Sequence, residues 1–118
     1  MSWTVTIHDA FEPEFGVLTQ AVQDALIAAA LVLQEAGPLL GRPYADTLAG
    51  SKYPNMKELR FNAEDGVWRV AFAFDPDRKG IILVAGDKAG VAQKRFYKAL
   101  IAKADKRFAV HLKALKGQ

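Results

Sequence analysis

The hydrophobic pattern changes period along the chain, and the changes mark its elements. Trp3, Val5 and Ile7 alternate with Thr4 and Thr6, which predicts a half-buried strand over residues 2–8. Asp9 is placed to cap a short helix, Ala10 to Leu18, with Pro13 near its start. Thr19 is placed to cap a second helix that runs to Ala36 and stops before Gly37-Pro38. At about 100° per residue, Ile27 and Leu31 fall in the middle of that helix's polar stripe of Gln20, Gln23, Asp24, Gln34 and Glu35. Either a neighbouring segment covers these two residues, or they form an exposed patch for a protein partner. Residues 37–55 hold three prolines and three glycines yet keep Leu39, Leu40, Tyr44 and Leu48. They predict a long ordered loop of the kind that often carries function.

Alternation returns from Met56 to Lys88, in three runs separated by Asp65-Gly66 and Asp75-Pro76-Asp77. In the middle run, Trp68, Val70, Phe72 and Phe74 share one face and Val67, Arg69, Ala71 and Ala73 the other. A guanidinium standing among alanines has room beside it for a ligand. Ile81 to Ala85 is apolar on both faces, as a central strand requires. From Val91 to Leu115 the period becomes helical: Ala92, Phe96, Leu100, Ala104, Phe108 and Leu112 make a core stripe. Lys94, Arg95, Lys98 and Lys106 lie off it, and Asp105 is placed to cap a second helix after a break near Lys103.

The order strand, helix, helix, three strands, helix predicts an α+β domain. The three late strands form an antiparallel meander with the first strand added at one edge, about four strands in all. The helices are expected to cover the bulky face and to leave the Arg69 face partly open. Lys57, Arg60, Arg69 and Lys88 are then expected in one region.

A chain of 118 residues fits one domain, 1–118, and 51% hydrophobic residues are enough to fill its core. At this size roughly two-thirds of the unfolded surface can be buried. The absence of cysteine excludes disulfides and thiolate metal sites and fits a reducing cytosol. No signal peptide is evident in MSWTVTIHD, and the run from Ala25 to Leu33 is too short to span a bilayer. A cytoplasmic protein without membrane contact is expected.

Charge adds a partner class. Residues 1–50 hold one basic and six acidic side chains, net −5, whereas residues 51–118 hold fifteen basic and seven acidic, net +8. Such a basic half suits a polyanion, most simply nucleic acid, or else it is a solvated surface.

Most catalytic constellations are missing. His8 and His111 are the only histidines and stand far apart. No Walker motif, dinucleotide fingerprint or nucleophile elbow occurs, so neither metal nor cofactor is expected. What remains is a set of cations with Tyr97. Cleaving RNA needs a base for the ribose 2′-hydroxyl, cations around the phosphate and an acid for the leaving 5′-oxygen. A lysine serves as base where neighbouring cations lower its pKa. From charge and spacing alone, plain RNA binding is the more economical reading.

Several segments carry a resemblance: GPLLGRPYADTLAGSKYPNMKELRF, VWRVAFAFDP, GIILVAGDKAG and KRFYKALIAKAD. Together they resemble the phage-derived branch of the HigB-like toxins, within the RelE/ParE superfamily of bacterial toxin–antitoxin modules, from Trp3 to about Leu115. The resemblance implies a small antiparallel sheet flanked by helices. It also implies a ribosome-dependent endoribonuclease that cuts messenger RNA in the decoding site and is silenced by a protein antitoxin with a helix-turn-helix.

By position, Arg69 matches the strand arginine used at the scissile phosphate. Lys57 and Arg60 match a basic pair, Lys88 a cation at the end of the last strand, and Tyr97 an aromatic residue near the reaction centre. Lys52, Lys94, Arg95 and Lys98 are the candidates for ribosome and RNA contact, and Ile27 and Leu31 for the antitoxin. Glu58 interrupts the cations and either weakens the site or serves as a base. The alternatives are a ParE-like inhibitor of a protein such as gyrase, and a non-catalytic RNA-binding domain.

Overall fold

The computed structural model describes residues 2–117. Its elements are β1 (Thr4–Ile7), α1 (Glu12–Gly16), α2 (Gln20–Ala36), β2 (Ala45–Thr47), β3 (Lys57–Ala63), β4 (Gly66–Phe74), β5 (Lys79–Asp87) and α3 (Gln93–Lys116). The strands form one sheet in the order β1-β5-β4-β3-β2. β3, β4 and β5 make the expected meander, and β1 joins at the edge, parallel to β5. The α+β class holds, with five strands in place of about four. The addition is β2, inside the supposed loop, which pairs antiparallel with β3. Three residues are too few to display an alternation.

The bulky face lies where its chemistry requires. Val70 and Phe72 are buried with Phe11, Leu26 and Leu33, so α1 and α2 cover it. Thr19 caps α2, its hydroxyl accepting from the Val22 amide at 3.4 Å.

The opposite face is not open, contrary to expectation. α3 lies across it, burying Phe96, Leu100, Ala104 and Phe108 against Ala71, Ala73, Ile81, Leu83 and Val84. Each large side chain so buried contributes roughly 1.5–3 kcal/mol. Small residues permit the close approach: a Cβ added at Gly86 would stand 2.9 Å from the Phe96 ring. A β-bulge helps. Ala71 pairs with Val84 and Phe72 with Ile82, so Leu83 is an extra residue, and both Leu83 and Val84 reach the α3 side.

Two cap assignments are corrected. α3 is one unbroken helix, and Asp105 is not its cap. That side chain is buried and accepts from Ser51 Oγ at 2.5 Å and the Lys52 amide at 3.1 Å, tying the β2–β3 loop to α3. α1 is shorter than expected, and Asp9 does not cap it. The start of α1 is held instead by His8, whose carbonyl accepts from the Phe11 and Glu12 amides. The ring Nδ1 of His8 also accepts from the Ala10 amide at 3.0 Å. Ile27 and Leu31 are uncovered, at 47% and 56% exposure. Among the described residues no helix is long and apolar enough to cross a membrane.

At the far end of α3, His111 Nε2 lies 2.7 Å from Asp75 Oδ2, and the His8 ring stands 6.4 Å from that of His111. Burial, together with the nearby His111 and Arg107 charges, lowers the His8 pKa below 6.5. The unfolded chain therefore takes up this proton first, and the fold loses stability as pH falls through that value. Asp75 acts in the same direction at lower pH. Burial opposes its ionisation, but its hydrogen bonds to His111 and the Lys79 amide outweigh this and depress its pKa. Its contribution is present above the ordinary carboxylate range and is lost in acid. Urea midpoints measured from pH 7.5 to 5.5 should fall more steeply for the wild type than for His8→Gln. Parallel curves would remove His8 from this dependence.

Candidate active site

Strand parity decides which side chains meet. Glu58 and Arg60 are two apart on β3 and point to the α3 side, as does Arg69 on β4. The register sets Arg60 beside Arg69 and Glu58 beside Ala71, whose small side chain leaves space. From α3, one turn past its start, comes Tyr97.

Glu58 is the hub, only 2% exposed. Its Oε2 accepts from Arg60 Nε at 3.1 Å and from the Tyr97 hydroxyl at 3.3 Å. Its Oε1 lies 4.0 Å from Arg69 Nε, too far for a hydrogen bond. Among the described residues, Glu58 Oε1 and Arg69 Nε are the buried side-chain atoms left without a hydrogen-bond partner. Arg69 is steadied by its Nη1, which donates to the Trp68 carbonyl at 2.9 Å. Asp46 of β2 stands 3.8 Å from Arg60 Nη2. Lys88 Nζ sits 5.8 Å from the centre of the Tyr97 ring.

Above this cluster a cleft of about 290 Å³ opens between the end of β2 with the loop after it (Thr47, Leu48, Ala49) and α3 (Gln93, Tyr97), with Glu58 and Arg60 in its wall. Burial raises the Tyr97 pKa, the Glu58 charge and hydrogen bond add to this, and Arg69 opposes it. The phenol is therefore a proton donor at neutral pH. Burial works against the charge on Arg60, but its hydrogen bond and ion pair with Glu58 outweigh this and raise its pKa.

The structure thus brings together Arg60, Arg69, Lys88 and Tyr97, but not Lys57. Lys57 pairs with Phe72, on the α2 side of the sheet, and its Nζ donates to the Pro38 and Leu40 carbonyls at 2.9 and 3.0 Å. The expected basic pair of Lys57 and Arg60 is therefore divided. They are three residues apart on a strand, and the period of two sets them on opposite faces. Lys52 is exposed on the β2–β3 loop, and Lys94, Arg95 and Lys98 are exposed on the first half of α3. Sequence reasoning missed the centrality of Glu58, although its alternation with Arg60 was a usable signal. It missed Asp46, Thr47 and Gln93 altogether. Among the described residues, no group of three or more His, Asp or Glu side chains is arranged to hold a metal ion.

Residues 13–109 match the model of the phage-derived Gp49-like family (DUF891). The chain belongs to this family. Two Mycobacterium tuberculosis proteins, each named as a proposed toxin, are similar to this Gp49-like chain. HigB2 is 40% identical over 113 residues, which cover 95% of this chain and 55% of that protein. HigB3 is 43% identical over 93 residues, 79% of each chain. The chain therefore spans about half the length of the first relative and four-fifths of the second. A solved structure of the E. coli toxin RelE, a double-arginine mutant in the free state, matches 87% of this chain and 97% of its own. The TM-score is 0.62 at 13% identity. The Gp49-like chain is HigB-like in sequence and has the RelE fold.

A buried carboxylate flanked by two guanidiniums is costly to leave half paired. Glu58→Ala should destabilise the fold by about 3–5 kcal/mol, the usual effect of removing one partner from a buried ion pair. Adding Arg69→Ala should recover part of that loss, because the uncompensated charge goes too. Additive losses in denaturant titrations of the single and double variants would show that the two side chains are uncoupled.

Proposed function

We propose that the protein is the toxin of a type II toxin–antitoxin module, a ribosome-dependent endoribonuclease that blocks translation by cutting messenger RNA in the cytoplasm. The observation that carries this reading is the buried Glu58 in the wall of one cleft with Arg60 and Tyr97, and Arg69 beside it. The names of the relatives and the RelE fold support it.

The chemistry follows from which atoms are free. The 2′-oxygen of a bound ribose attacks its 3′-phosphate, and its proton passes to Glu58 Oε1, the acceptor with no other partner. A lysine base fits less well, because Lys57 faces away from the cleft. The O2′–P bond forms and the P–O5′ bond breaks. Negative charge growing on the phosphate meets the Arg69 and Arg60 guanidiniums, whose planar forks suit it. Tyr97, protonated at neutral pH, gives its proton to the leaving 5′-oxygen, with Lys88 over its ring. Carboxylate, cations and phenol supply base, electrostatic stabiliser and acid without a metal. Lys52, Lys94, Arg95 and Lys98 serve as the surrounding phosphate contacts on the ribosome.

Mapping new 5′ ends on messages in translating extracts tests the reading. Arg69→Ala should lower cutting on the order of 10²–10³-fold while the protein stays folded. Arg69→Lys should recover little, and Lys57→Ala should cut almost normally. Soluble wild-type protein that neither cuts messages nor arrests growth would defeat this function. Growth arrest with intact messages would favour a ParE-like inhibitor.

A cognate antitoxin, with a helix-turn-helix of its own, is proposed to anchor on the exposed face of α2, at Ile27 and Leu31. Aspartate at both positions should weaken the complex in calorimetry without shifting the unfolding midpoint of the free toxin. Unchanged affinity would place the contact elsewhere.

A further inference from the structure

β1 covers only part of its neighbour. It pairs with Lys79 to Ile82 of β5, and the His8 amide makes the last contact, to the Ile82 carbonyl at 2.9 Å. The chain then turns away into α1. The next residue of β5 is the bulged Leu83, whose carbonyl accepts from Arg107. From Val84 to Asp87, no strand of the described residues pairs with this edge. The ladder to β4 fixes which groups are left over. The Lys88 amide donates to the Val67 carbonyl, and on an antiparallel strand the direction alternates. The amides and carbonyls of Ala85 and Asp87 therefore turn outward. Folded proteins normally blunt such an edge with proline or lysine, but Val84-Ala85-Gly86 carries neither.

A groove of about 300 Å³ runs beside this edge, between β5 and α3. α3 follows β5 from Phe96 at Gly86 to Arg107 at Leu83. The groove is apolar along its length, with Val91, Phe96, Ala99 and Leu100 in its lining. The same lining holds Arg95 and Lys103 and no carboxylate. Lys103 stands 3.7 Å from Glu14, a loose and half-exposed pair, and among the described residues Arg95 makes no salt bridge. The two cations are eight residues apart on the helix, about 12 Å. Residues four apart on a strand span about 13 Å and share one face.

These features define an occupant. The open edge suits an extended backbone, whose donors and acceptors match its spacing. The groove suits an apolar side chain, and the cations suit a carboxylate two residues to either side of it. A second copy of this chain fits poorly, because pairing β5 with β5 about a two-fold axis brings both sets of cations together. A nucleic acid supplies charge but neither the strand backbone nor the apolar side chain.

We propose that the β5 edge from Val84 to Asp87, with the groove beside it, docks an extended peptide of a partner protein with the pattern acidic-x-apolar-x-acidic. The peptide takes up the edge where β1 leaves off. The Glu58 cleft opens on the other flank of α3, and Ile27 and Leu31 lie across the sheet, so this surface is separate from both and does not rest on the RNA reading.

The test uses the full chain and two blocked peptides, Glu-Thr-Val-Thr-Glu and Lys-Thr-Val-Thr-Lys, with amide NMR and fluorescence polarisation. The glutamate peptide should shift the Ala85 and Asp87 amides and slow their exchange. It should bind about tenfold tighter than the lysine peptide, the scale of exchanging two rim attractions for repulsions. Ala85→Pro removes an amide that β4 does not use, so it should weaken binding about tenfold with little change in thermal midpoint. Arg95→Glu leaves the backbone alone and serves if the proline variant folds poorly; it should abolish the preference for the glutamate peptide. Absence of binding at millimolar peptide, equal affinity for the two peptides, or shifts confined to α2 or to the Glu58 cleft would overturn the proposal. A dimer in sedimentation that Ala85→Pro dissolves would assign the edge to a second copy and overturn it too.

Discussion

One helix lies on a sheet face that has been made small to receive it. Ala71, Ala73 and Gly86 keep the surface low, and Phe96, Leu100, Ala104 and Phe108 descend onto it. Most other features hang from that contact. Along its length of roughly 36 Å, α3 ties down distant parts of the chain. Tyr97 reaches Glu58, Asp105 holds the β2–β3 loop, and His111 meets Asp75. Arg107 binds the bulged Leu83 carbonyl at 2.7 Å and Glu14 of α1 at 2.5 Å. The cleft exists because this helix begins beside a loop that it also anchors.

The site works against the economy of the core. A buried carboxylate among guanidiniums costs desolvation that the ion pairs only partly return. Well-packed apolar side chains would fill the space with less penalty. Such a local violation of packing rules is expected where function outweighs stability. The gap of 4.0 Å between Glu58 Oε1 and Arg69 Nε leaves a donor and an acceptor unsatisfied face to face. Ordinary folding pressure would close that gap, whereas a site that takes up a polar ligand keeps it open.

Much of this was legible from periodicity. The alternation in β4 located its bulky face, the fourfold repeat of α3 located its stripe, and Thr19 marked the start of α2. What failed has physical causes. Alanine on a strand predicts an open face, but alanine also marks a surface that a helix approaches closely. β2 is too short to show a period. Asp105 looked like a cap because caps and loop staples use the same residue type. Lys57 was grouped with Arg60 by charge, although counting parity separates them. Glu58 looked like an interruption among cations, and only the cross-strand register shows those cations converging on it.

The charge asymmetry of the sequence becomes an asymmetry between the two sides of the sheet. α2 carries acidic side chains and exposed Ile27 and Leu31 on one side, while α3 carries its cations on the other, next to the Glu58 cleft. A protein partner anchored on α2 would thus sit across the sheet from the cleft. Silencing by such a partner would not require a plug in the cleft. A partner held on that far face would leave the Glu58 cluster untouched, because the sheet and the packed Phe72 layer stand between them.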